Sequence, residues 1–215
     1  MTLSRAFMGC LAATVAAACG SSGTHPDDMS AEEHRQTAGE EEHDANLHDA
    51  DYDPNARATT AGRSSVMANA EFYGLAIYNP TAGHRAEAQG LRELAAEHRG
   101  AAAALEHFEE GACAHFPPET RPSCPLLGQV REVTDVEGGV SIRLVDGAND
   151  DAVRDHSRCH VAFAATHGRD GMDHCPMYVA GVSVGPGEEG VTLVTDQGQA
   201  AVADLRRRAR THMAQ

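Results

Sequence analysis

The feature that most limits how this chain can fold is an internal repeat. Cys124-Pro125-Leu126-Leu127 is followed by Gly139-Val140-Ser141-Ile142, and Cys175-Pro176-Met177-Tyr178 is followed at the same distance by Gly190-Val191-Thr192-Leu193. Both the Cys-Pro pair and the Gly-Val pair recur after 51 residues. A constant offset marks two copies of one supersecondary unit. In each copy two β-rich runs flank a turn, Glu137-Gly138-Gly139 in the first and Gly185 to Gly190 in the second, which reads as a β-hairpin. Val140, Ile142 and Leu144 alternate with Ser141 and Arg143, the pattern of a half-buried strand.

A helix follows each hairpin. Asn149 or Asp150 can cap a helix from Asp151 to about His167, and Ala200–Met213 is its counterpart. A longer helix precedes the pair. Leu91, Leu94, His98, Ala101, Leu105, Phe108 and Ala112 fall at spacings of three and four, one face of a helix. The expected fold is therefore α+β: a long helix and a duplicated ββα unit over residues 81–215, with a four-stranded antiparallel sheet and its helices on one face. There is no Trp, and aromatic residues make up 4% of the chain, so the core is aliphatic and thin.

A thin core in an exported chain favours disulfides. Each Cys-Pro is preceded by a cysteine near a helix end, Cys113 before Cys124 and Cys159 before Cys175. Among the connectivities open to four cysteines, the repeat favours Cys113–Cys124 and Cys159–Cys175. Each would contribute about 3 kcal/mol in the chain-entropy model.

The second of these connections lies in His156–Tyr178, which holds four histidines, two cysteines and two methionines in 23 residues. His156, Cys159 and His160 share one helix face. In the repeat, His156 and His160 fall where the last helix has the inward-facing Leu205 and Ala209. A buried imidazole needs a partner: a carbonyl, a carboxylate or a metal. The metal alternative takes His156, His160 and His174, with Cys175 and Met172 or Met177 from the following loop, a mixture suited to copper or zinc. Against it, no zinc-finger spacing is present, and sulfurs held in disulfides are not ligands. His156-x-x-Cys159-His160 lacks the first cysteine of a haem-attachment motif. No nucleophile elbow, P-loop or dinucleotide fingerprint occurs.

Upstream, residues 20–60 carry eleven acidic side chains against Arg35 and Arg57, most of the net charge of −15. Residues 19–80 read as an acidic, histidine-bearing tether, largely disordered or a solvated helix. His34 and His43, nine positions apart, would point to opposite faces of one helix and cannot chelate together there. Tyr52-Asp53-Pro54 and Tyr78-Asn79-Pro80-Thr81 read as punctuation at helix boundaries. The acidic balance argues against a nucleic-acid partner. Arg206, Arg207, Arg208 and Arg210 form a basic face on the last helix, read as solvated.

The N-terminus sets the compartment. Met1–Arg5 carries one positive side chain, and Ala6–Ala18 is a short apolar run ending in Val15-Ala16-Ala17-Ala18-Cys19-Gly20. This resembles the lipobox of bacterial lipoproteins, with Ala16 at a position usually occupied by Leu. The resemblance covers residues 1–23 only. It implies a signal peptide over 1–18 and lipidation of Cys19, hence membrane attachment through acyl chains. Gly20, rather than Asp, after the cysteine points to the outer membrane facing the periplasm. The expectation is a non-enzymatic, lipid-anchored envelope protein, a structural or binding module without a cofactor. The alternative is a periplasmic copper- or zinc-binding lipoprotein.

Overall fold

The two repeat copies meet along one seam. In the computed structural model, which describes residues 23–63 and 73–213, the elements run α1 (Ala31–Asp51), β1 (Ala58–Arg63), β2 (Tyr73–Tyr78), α2 (Ala82–Ala112), β3 (Val130–Val136), β4 (Gly139–Leu144), α3 (Asp150–His167), a 3-10 turn (Pro176–Tyr178), β5 (Val182–Gly187), β6 (Gly190–Thr195) and α4 (Gly198–Arg210). The protein is α+β. Its main sheet has the order β3-β4-β6-β5, antiparallel throughout, and β1 pairs with β2 in a separate ribbon.

The register at the seam is that of a pseudo-twofold axis. Ser141 pairs with Thr192, its own equivalent in the repeat. On either side Val140 pairs with Leu193 and Ile142 with Val191, each residue opposite the equivalent of the other. The glycines that open β4 and β6 obey the same symmetry. A Cβ on Gly139 would overlap the Leu193 carbonyl oxygen, and one on Gly190 would overlap that of Ile142. Only glycine lets the two central strands approach this closely. Pro186 sits in β5, an edge strand, where its missing N–H costs no central ladder bond.

One sheet face is buried. Val140, Ile142, Leu144, Val191 and Leu193 pack with Ala164 of α3 and with Leu205 and Ala209 of α4. α3 lies over β5 and β6, while α4 reaches back over β4 and β6, so each helix covers strands of the other copy. Asn149 caps α3 as expected, its side-chain oxygen accepting from the Ala152 N–H at 3.1 Å. The arginines of α4 are engaged within the domain. Arg206 donates to the carbonyls of Val136 and Gly139, Arg207 and Arg208 pair with Asp204, and Arg210 pairs with Asp135.

The expected disulfides are not those present. Cys113 is bonded to Cys159, with a Cα–Cα separation of 4.7 Å, and Cys124 and Cys175 are free and buried. The reason is the axis: it sets equivalent segments against each other instead of closing each copy on itself. The bridge joins the C-terminal end of α2 to the middle of α3.

Residues 19–80 are not a largely disordered tether within the described part. Ser30 opens α1 with a capping box, its hydroxyl accepting from the Glu33 N–H and Glu33 reaching back to the Ser30 N–H at 2.8 Å. α1 packs antiparallel on α2 through Ala31, Ala38 and Ala45 against Ala88, Ala95 and Ala102, small residues that allow close approach. The expected stripe on α2 is kept in part: His98, Ala101 and Leu105 are buried, while Leu91 and Leu94 are half-buried and Phe108 is exposed. Arg99–Glu42 and Arg92–Asp49 link the helices at the rim, where each pair contributes at most about 1 kcal/mol. The signal peptide, Cys19 and the first residues of the tether lie outside the described residues.

Two stability changes follow. Gly139→Ala should destabilise the domain by about 3 kcal/mol, read by chemical denaturation, because the overlap falls on backbone that cannot yield. Replacing Cys113 and Cys159 by Ser should cost about 4 kcal/mol, given the 46-residue separation.

Candidate functional site

The pseudo-twofold brings the two Cys-Pro cysteines face to face. Cys124 comes from the loop after α2 and Cys175 from the loop before the 3-10 turn, and their sulfurs lie 3.4 Å apart. His160 reaches them from α3. A ring nitrogen of His160 and the two sulfurs all lie within 4.8 Å of one another, and the three residues are buried.

The surroundings fix the imidazole. His160 Nδ1 lies 2.7 Å from the Arg121 carbonyl, an acceptor, so Nδ1 carries the proton and Nε2 the lone pair. Nε2 is buried and has no hydrogen-bond partner. The Arg121 carbonyl is itself held in place. Arg121 donates from Nη1 to Glu109 Oε1 at 2.9 Å and from Nε to the Phe116 carbonyl at 3.1 Å, and His167 closes on the other Glu109 oxygen at 3.2 Å. Glu109 is buried in α2, so this network runs from helix to loop to imidazole. Backbone-held Nδ1–H with a free Nε2 is the usual arrangement of a metal-ligating histidine. The Tyr178 ring packs on the other side, its centroid 5.1 Å from that of His160, and burial pushes its hydroxyl up to about 12.

Electrostatics divides the two thiols. The Cys175 S–H donates to Cys124 Sγ, and this bond, aided by His212, holds the Cys124 thiol far below its usual range, at about 4. The same bond, with burial, drives Cys175 strongly upward. The pair thus sets a sulfur that ionises readily beside one that resists ionisation. Burial lowers the His160 pKa, keeping the ring neutral. His212, from the turn after α4, places Nε2 3.9 Å from Cys124 Sγ and 2.9 Å from the His174 carbonyl, and the nearby thiolate raises its pKa.

Of the three histidines expected to bind metal, only His160 reaches the cysteines. His156 lies 3.0 Å from the Thr120 carbonyl and stacks on Phe116, and His174 is exposed, contributing a carbonyl instead of a ring. Cys175 and His160 are in the cluster as the metal alternative had them, while Cys124 and His212 stand where it placed His156, His174 and the methionines. The signal was the repeat offset itself: residues at equivalent positions close to a twofold axis meet.

Comparison with known proteins gives no match, whether with family models, curated proteins or solved structures.

In the metal-free protein with Cys124 and Cys175 reduced, thiolate ultraviolet absorbance should persist well below the ordinary thiol range and disappear only as pH falls further. The sign follows from the lowered Cys124 pKa. Below it the group is protonated, and the stability it supplies above the unfolded thiol's pKa is lost. Cys175→Ala should move this titration upward by removing the hydrogen bond to Cys124 Sγ.

Proposed function

We propose that the chain is an exported, lipid-anchored envelope protein whose domain binds a thiophilic transition metal through Cys124, Cys175 and His160. The observation that carries this reading is the distance between the sulfurs. At 3.4 Å they are far outside a disulfide bond of ~2.05 Å. They are within a few tenths of an ångström of the ~3.8 Å between two thiolates on one tetrahedral zinc, given Zn–S bonds of ~2.3 Å. The buried, unpartnered Nε2 of His160 supplies a third donor.

Charge selects among metals. A buried site is most easily formed when it is neutral. Two thiolates and neutral imidazoles balance a divalent ion, so Zn(II) fits best, with His212 completing a tetrahedron after giving up the His174 carbonyl. Cu(I) is the second reading, favoured by the existing His212–His174 contact, since Cu(I) takes the three remaining ligands in a plane. Neither reading needs a reaction. The donors are enclosed, and the protons that leave are those of the ligands. Export and anchoring rest on the lipobox resemblance and Cys19. No helix among the described residues is long and apolar enough to cross a membrane, which is consistent with attachment by lipid.

The test is metal binding by the reduced, metal-free protein at neutral pH. One tightly bound Zn(II) at the thiol centre, with release of protons as its ligands ionise, is expected. Cys124→Ser and Cys175→Ser should abolish this binding, and His160→Ala should weaken it by on the order of 100-fold. His156→Ala and His174→Ala should leave affinity unchanged. Thiolate-to-cobalt charge transfer that persists undiminished after loss of either cysteine would defeat the proposal.

A further inference from the structure

A second cluster of donor atoms lies on the helical hairpin, away from the thiols. α1 and α2 are crossed by two histidine pairs, His34 with His98 and His48 with His84. On each helix the two histidines are two heptads apart, so both pairs occupy equivalent places in the seam. Their surroundings differ in burial and in the position of the nearest carboxylate.

At the inner pair the Nδ1 atoms are 2.8 Å apart, and the neighbouring Glu41 Oε1 lies 3.8 Å from the opposite nitrogen of His98, Nε2. The donors diverge, and the pair is a buried hydrogen bond. At the outer pair they converge. His48 Nδ1 is 3.1 Å from His84 Nδ1 and 3.0 Å from Glu87 Oε2, and His84 Nδ1 is 3.8 Å from the same oxygen. Ligands on one metal at bonds of ~2.05 Å are separated by ~2.9 Å at right angles and ~3.3 Å at the tetrahedral angle. The triangle of His48, His84 and Glu87 is therefore close to one face of a coordination sphere.

The site is open and its frame is fixed. The side chains are 33%, 38% and 58% exposed, which leaves the outer positions to water. The chain on both sides is stitched together where the two Pro-containing echoes meet. The Asp53 N–H donates to Thr81 Oγ1 at 3.0 Å, and Asn79 Nδ2 donates to the Asp53 carbonyl at 2.8 Å. This pins the end of α1 to the start of α2 beside the donors. Neighbouring cations are engaged elsewhere, Arg92 with Asp49 and Asn46 and Arg85 over the Tyr52 ring.

We propose that His48, His84 and Glu87 form a second metal site, a solvent-facing two-histidine, one-carboxylate face for a borderline divalent ion such as Zn(II), Co(II) or Ni(II). Its ligands are nitrogen and oxygen only, so it is independent of the thiol centre in chemistry and position. Bound metal would clasp α1 to α2.

The experiment is Co(II) titration of the full-length reduced protein, followed by absorbance. Thiolate-to-cobalt charge transfer reports the Cys124–Cys175 centre, while an N/O site contributes only weak d–d bands. In a Cys124→Ser/Cys175→Ser variant, one equivalent of Co(II) should still bind, with weak bands alone. Adding His48→Ala and His84→Ala should remove it, and Glu87→Gln should weaken it at least tenfold. Circular dichroism of the metal-free variants checks that the helices remain. A Co(II) equivalent that persists without both histidines, or no N/O-bound equivalent in the Cys124→Ser/Cys175→Ser variant, overturns the proposal. Loss of the charge-transfer band alone bears only on the thiol centre.

Discussion

The close contact of β4 with β6 is the constraint on which the rest of the domain depends. Two equivalent strands pair antiparallel about Ser141 and Thr192, and two equivalent glycines admit the opposing carbonyls. Once that register is set, everything the two copies share is related by the same axis. Segments near the axis meet their own equivalents. Cys124 and Cys175 are such a pair, and neither alone would be more than a buried thiol. The helices are exchanged between hairpins for the same reason: a helix leaving the edge of one copy finds the open apolar face of the other.

This symmetry is also where sequence reasoning divided into success and failure. The offset of Cys124-Pro125 and Cys175-Pro176, with the alternation in Val140–Leu144, was enough to read hairpins, helices and the antiparallel sheet. The pairing of cysteines was not legible in the same way, because proximity in sequence favours closing each copy on itself. His160 was readable as inward-facing because it aligns with Ala209, which is fully buried in α4. His212 was not, since it lies beyond the last apolar position of that helix and reaches the thiols only through the turn after it.

The helical hairpin was hidden for another reason. Between Asp27 and Asp53 the acidic side chains dominate composition, and the buried apolar residues of α1 are alanines alone. Alanine carries little burial energy per residue, so a stripe of Ala31, Ala38 and Ala45 is faint on any hydropathy scale. Its value is geometric. Small side chains bring the helix axes close, and histidines placed at the same seam positions must then touch. The separation of His34 and His43 correctly ruled out a site within one helix, yet said nothing about partners on a second helix that composition did not reveal.

The two clusters stand in opposite relation to folding. At the outer histidines, water can satisfy whatever the protein leaves unpaired, so metal there adds to a hairpin that is already complete. At the buried centre the metal-free state keeps an imidazole acceptor without a partner and a readily ionised sulfur away from water. An unsatisfied buried polar group costs about 1–3 kcal/mol, and a buried charge costs more. A metal ion taking the place of the protons on the sulfurs would satisfy His160 Nε2 and neutralise the sulfurs in one step. Affinity at that centre would then include the relief of a penalty that the fold itself creates by holding the donors together. The Glu109–Arg121 pair belongs to this account, because it fixes the carbonyl that leaves His160 with its lone pair turned inward. Of the two proposed sites, the buried centre would therefore be the one whose occupancy is coupled to the stability of the whole domain.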